Sequence, residues 1–81
     1  MHKLGDKVKI RQWSDMEKEF GLDEGGDIDC RCFFAIEMKK YCGRIGKVVC
    51  VHSGGFYDLS FDGKTHGWYF SDDMFEKEKT E

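Results

Sequence analysis

The sequence predicts a mainly β domain, a small antiparallel barrel of about five strands with two short helices inserted after the first strand. Three observations carry that expectation. Residues 7 to 12 alternate with period two, three strand-like runs follow one another closely between residues 47 and 70, and helical spacing is confined to the stretch between them.

In Lys7-Val8-Lys9-Ile10-Arg11-Gln12 the alternation sets Val8 and Ile10 on one face and Lys7, Lys9 and Arg11 on the other, as in a half-buried strand. Ser14-Asp15-Met16-Glu17 then matches a capping box, and Met16 and Phe20 follow at helical spacing. Gly21 ends that helix, with Leu22 placed to fold back on its last turn. Residues 23 to 29 are acidic, contain glycine and lack a period, so they read as an exposed loop leading to a brief extended piece around Ile28 to Phe33. Phe34, Met38 and Cys42 recur every four residues, and Lys39 and Lys40 suit the negative end of a second helix over about 35 to 42.

The rest reads as strands. Lys47 to His52 is rich in β-branched residues, Phe56 to Phe61 puts Tyr57, Leu59 and Phe61 on one face, and Trp68 and Phe70 alternate again. Ser53-Gly54-Gly55 and a longer turn through Asp62-Gly63 connect them, so these strands are expected to be antiparallel neighbours. Asp72 to Phe75 suggests one helical turn and a last short strand. The expected organisation is a single barrel domain over 1–76, its helical and acidic insert at about 14–42, with a frayed tail over 77–81.

Composition narrows the function classes. Eighty-one residues leave little interior in which to enclose a water-free active site. The aromatic share of 15% supplies a core even though charged residues reach 36%. No apolar run approaches the roughly twenty residues needed to cross a bilayer, and the opening residues lack the apolar stretch of a secretory signal, so the expectation is a cytoplasmic protein with no membrane association. The formal net charge of −3 conceals an asymmetry: residues 15 to 29 sum to −6, whereas residues 1 to 13 and 31 to 70 each sum to +3. A solvated acidic loop beside an ordinary surface is the plain reading, and a recognition surface the functional one.

Gly5-Asp6-Lys7-Val8-Lys9-Ile10, Cys42-Gly43-Arg44-Ile45-Gly46-Lys47-Val48, and Trp68-Tyr69-Phe70 with Met74 together resemble the pattern of small Src-homology-3-like barrels. In these a "GD.V.I" first strand, a "G..G.V" segment and a "W.F" strand recur around an aromatic core. Trp13 to Gly21 also looks like the "W.DM..E.G" segment of small uncharacterised proteins of bacterial phages and mobile elements. The resemblance implies a fold and a biological setting, and it assigns no site residues.

Three sets of residues are candidates for function. The first is a protein-binding surface on the acidic insert, using Asp15, Glu19, Asp23, Glu24, Asp27 and Asp29, with Phe56 and Tyr69 as aromatic anchors. The partner would be another protein, and the module a phage-derived inhibitor or adaptor acting through its acidic surface. The second is a nucleic-acid face formed by Lys7, Lys9, Arg11 and Lys47, against which the sequence pI of about 5.6 argues. The third is a zinc-stabilised domain using Cys30, Cys32, Cys50 and His52, whose thiolate and imidazole donors suit zinc although one-residue gaps replace the usual two. Its plain alternative is packing, with Cys42 and Cys50 on core-facing stripes. No nucleophile, base and oxyanion donor come together, so the expectation is a non-enzymatic module without catalytic residues or a cofactor.

Overall fold

A computed structural model describes residues 2–76. Its strands are β1 (Lys7–Lys9), β2 (Ile45–His52), β3 (Phe56–Phe61) and β4 (Lys64–Ser71), forming one antiparallel sheet in the order β1-β2-β3-β4. Helix α1 (Trp13–Phe20) and a 3₁₀ helix (Ile36–Tyr41) lie between β1 and β2, and a 3₁₀ turn (Asp72–Met74) follows β4. The mainly β expectation and the two helices after the first strand are present. Among the described residues the four-stranded sheet is not closed into a barrel. In place of a fifth strand there is an isolated bridge between Ile10 and Phe75, reinforced by Arg11 N donating to Met74 O at 2.9 Å and Glu76 N to Lys9 O at 2.8 Å. The frayed tail expected over 77–81 lies outside the described residues.

The sheet has one core face. Tyr57, Leu59 and Phe61 are buried at alternate positions of β3, as the sequence predicts, and Val48 and Phe70 join them from the neighbouring strands. The insert covers this face with Met16, Ile28, Phe34, Met38 and Tyr41, all in the same buried cluster. Tyr41 stacks on Phe61 with ring centroids 4.6 Å apart. Fully burying one such side chain stabilises the fold by roughly 1.5–3 kcal/mol.

Local details depart from the sequence reading for identifiable reasons. Helix α1 begins at Trp13, with Gln12 as its N-cap and no side-chain cap, so Ser14 lies inside the helix and no capping box forms. Glu17, which would have reached back, instead accepts from Trp13 Nε1 at 3.0 Å. Gly21 does take a positive φ, but with ψ 175 the chain leaves extended and carries Leu22 into a bridge with Ile28 rather than back over the helix. The piece after Ile28 is a turn, Phe33 N donating to Cys30 O, before a second bridge between Ile28 and Phe34. The second helix is 3₁₀, and in that geometry residues three apart share a face. Met38 and Tyr41 are therefore its buried pair, and Cys42 falls outside it. The turn after β3 is two residues, Asp62 and Gly63, both with positive φ, where the sequence suggested something longer.

Two substitutions test the core. A Cβ on Gly46 would meet Phe61 Cε1 at 2.9 Å and Leu59 Cδ1 at 3.2 Å, both on buried side chains. Gly46→Ala is expected to cost about 1–3 kcal/mol in urea denaturation, as overpacking does. Among the described residues Tyr41 Oη is buried without a partner, so Tyr41→Phe removes an unsatisfied group while keeping the stacked ring. Its midpoint is expected to stay level or rise by up to about 1 kcal/mol equivalent.

Candidate functional site

Arg11 organises a cleft between α1 and the turn that follows β4. It continues the chain direction of β1 just before α1, and its side chain is only 13% exposed. Its Nε donates to Asp15 Oδ2 at 2.8 Å, one Nη to Glu19 Oε1 at 2.6 Å and the other to Asp73 O at 3.0 Å. The four-residue spacing of Arg11, Asp15 and Glu19 sets both carboxylates along one edge of α1, where a planar guanidinium can hold them together. The aromatic side of the arrangement is Phe20, whose ring centroid lies 5.4 Å from the guanidinium carbon.

The cleft beside this hub has a volume of about 570 Å³ and is walled by Asp15, Glu19, Asp72, Asp73, Phe75 and Glu76. Among the described residues, five carboxylates against one guanidinium leave a formal charge of −4 there. Three of the five are tied further, Glu76 Oε2 lying 3.9 Å from Lys9 Nζ. Asp72 Oδ1 meets His2 Nδ1 at 2.8 Å while its Oδ2 accepts from Tyr57 Oη at 3.3 Å; Asp73 Oδ2 accepts from Arg31 N at 2.9 Å. Asp15 and Glu19 keep more than half of their side-chain surface exposed, so they present charge to solvent as well as to Arg11.

The predicted acidic surface is thus divided among different tasks. Asp15 and Glu19 stand in the cleft. Asp23 Oδ1 accepts from Gly25 N at 2.9 Å and Asp27 N at 3.1 Å, closing a side-chain-stabilised turn, and Asp27 Oδ1 accepts from Ile36 N at 2.9 Å at the start of the 3₁₀ helix. Glu24 and Asp29 are exposed. The aromatic anchors lie elsewhere, on β3 and β4: Phe56 is half-buried with the Arg31 guanidinium 5.4 Å from its ring centroid, and Tyr69 is 55% exposed. Sequence reasoning missed Asp72, Asp73 and Glu76 as members of the cleft and assigned Arg11 to a nucleic-acid face. The i, i+4, i+8 spacing of Arg11, Asp15 and Glu19 was the legible signal.

The basic set is also split. Lys7 sits directly opposite Lys47 in the register of β1 and β2, with Lys9 two residues along the same strand face, whereas Arg11 is occupied by carboxylates. The four thiols are free. Cys30 is buried against Asp73, and burial pushes its thiol up to about 11; burial likewise raises the thiols of Cys32 and Cys42. Cys32 Sγ lies 3.8 Å from Tyr69 O. Of the zinc set, the structure brings Cys50 and His52 together, with Asp58 as their third neighbour, and leaves Cys30 and Cys32 outside the group. Cys50 is not on the core stripe where simple alternation put it. The register of β2 against β3 slips between Val48 and Cys50, so Cys50 pairs with Asp58, which alternates with the buried Tyr57 and Leu59 and faces away from the core.

No family model, curated protein or solved structure matches the chain. No helix among the described residues is long and apolar enough to cross a membrane.

The Arg11 cluster makes a pH prediction. The hydrogen bond and charge of Arg11 hold the Asp15 carboxyl below its ordinary range. Its contribution to stability is therefore complete above the unfolded value of about 3.9 and is lost as pH falls through the lower folded value. Asp15→Asn is expected to flatten the fall in stability below about pH 4, read from urea midpoints measured across acid pH.

Proposed function

We propose that the chain is a non-enzymatic protein-interaction module of the small Src-homology-3-like barrel type, which takes a basic segment of a partner protein into the cleft beside Arg11. The observation that carries this reading is the cleft's charge: five carboxylates gathered from α1 and the C-terminal turn around one guanidinium. A lysine- or arginine-bearing segment would complete ion pairs that the cleft leaves facing solvent, and the surrounding field would raise its encounter rate. Phe75 offers an apolar wall for the aliphatic stem of such a side chain. The barrel assignment draws support from the order of elements and from the Ile10–Phe75 bridge, which occupies the position of a final strand running beside β1. In this reading the module works in the cytoplasm as an inhibitor or adaptor of phage or mobile-element origin.

A second reading rests on register. Like charges directly opposite each other disfavour a sheet, and Lys7 and Lys47 are so placed. A nucleic-acid phosphate lying across them would relieve that repulsion.

Affinity capture from the native host's lysate, repeated after nuclease treatment, separates the two. The expected result is a basic protein retained after nuclease by the wild-type chain and bound about tenfold more weakly by the Asp15→Asn/Glu19→Gln double variant, with an affinity that falls as salt rises. Retention unchanged in that variant, with its fold intact by circular dichroism, would remove the cleft from the interface. Capture of nucleic acid alone, lost in Lys7→Ala/Lys47→Ala, would favour the second reading.

A further inference from the structure

We propose that Cys50, His52 and Asp58 form a site for a divalent transition metal of the zinc class, on the sheet face that points away from the core. The site shares no residue with the acidic cleft and does not depend on the reading of that cleft.

The bulge in β2 creates the arrangement. With the register slipped between Val48 and Cys50, Cys50 stands directly across from Asp58, and His52, two residues further along β2, points from the same face. One donor atom from each of the three lies within 4.8 Å of the other two. Ligand atoms around a tetrahedral zinc stand about 3.5 Å apart, given metal–ligand bonds of about 2.0–2.3 Å, so small side-chain rotations close the set. His52 Nε2 and Asp58 Oδ2 are already 3.1 Å apart.

The imidazole carries the second observation. His52 Nε2 is shielded from solvent, although the side chain as a whole is 37% exposed, and among the described residues it makes no hydrogen bond even with Asp58 Oδ2 3.1 Å away. A shielded imidazole nitrogen that makes no hydrogen bond is open to coordinate, and a cation between it and the carboxylate satisfies both. Thiolate, neutral imidazole and carboxylate together carry −2, which a divalent ion balances. Sulfur and nitrogen donors favour zinc over calcium or magnesium, which take oxygen. Tyr69 packs edge-on to the His52 ring, centroids 5.1 Å apart, and pairs with Asp58 in the β3–β4 register, so its ring borders the site. Three protein ligands leave a fourth position for water or a group from a partner.

The test is titration of the full-length, chelator-treated protein with Co²⁺, followed by competition with Zn²⁺. The expected result is one cobalt per chain, a thiolate-to-cobalt charge-transfer band and intense d–d bands of a four-coordinate ion, all displaced by zinc. Cys50→Ser is expected to abolish the charge-transfer band, and His52→Ala and Asp58→Asn to weaken binding by at least tenfold. Cys32→Ser, with the thiol outside the set, is expected to bind as the wild type does. Native mass spectrometry of protein expressed with added zinc gives an independent count of bound metal. Absence of a charge-transfer band in the wild-type chain, a band that survives His52→Ala unchanged, or one lost in Cys32→Ser while the near-ultraviolet circular dichroism of the apo protein stays native would each overturn the site.

Discussion

The face of β3 that carries Tyr57, Leu59 and Phe61 is the surface on which the rest of the molecule depends. A sheet of four strands, one of them only three residues long, cannot bury that face by itself. The chain between β1 and β2 therefore has to act as its cover, and it does so with Met16, Ile28, Phe34, Met38 and Tyr41. That requirement explains why a segment so rich in charge is structured at all. These apolar residues reach the core while Leu22, Phe33 and Ile36 stay about half exposed, and the acidic residues are left with the outward side, the turn at Asp23 and the cleft at Arg11.

Arg11 joins this cover to the turn that follows β4. Its contacts run to α1 through Asp15 and Glu19 and to the C-terminal turn through Asp73 O, while the backbone beside it pairs with Met74. At 13% exposure the guanidinium is shielded enough for its hydrogen bonds to be well formed, and its partners remain exposed enough to interact with something else. The same three contacts position α1 and shape the cleft wall, so the architecture and the charge of the site have one origin.

Elements whose signal is periodic were legible in the sequence. β3 read correctly because Tyr57, Leu59 and Phe61 alternate without interruption, and the Ser53-Gly54-Gly55 turn because glycines permit it. What was not legible is whatever a register slip decides. Alternation from Val48 places Cys50 and His52 on the core side, and one extra residue in the ladder turns them to the other face beside Asp58. Between β3 and β4 the register slips again, Asp58 pairing with Tyr69 and Ser60 with Thr65, and Gly67 takes a positive φ in the bulged stretch of β4, so a smooth period fails there too. The capping box at Ser14 failed for a tertiary reason: Trp13 packs against Phe34, ring centroids 6.1 Å apart, and draws Glu17 to its indole nitrogen. The cleft was half legible, because the spacing of Arg11, Asp15 and Glu19 is local whereas Asp72, Asp73 and Glu76 arrive through the fold.

The two sites differ in the chemistry they can recognise, and this keeps their roles separate. The cleft offers carboxylate oxygens and an apolar wall, a hard and partly solvated environment suited to an ammonium or guanidinium group whose aliphatic stem also needs a surface. The outer face of β2 and β3 offers sulfur, imidazole nitrogen and one carboxylate, a softer set with a preference for zinc-class metals. A cation suited to one gains little from the other. They are nevertheless mechanically contiguous, because Asp73, whose main-chain oxygen holds Arg11, also accepts from Arg31 N, and the Arg31 guanidinium rests on Phe56 and bonds Gly54 O in the hairpin that ends at His52. These contacts link the cleft to the turn that follows His52 through hydrogen bonds and one cation–π contact rather than through the core.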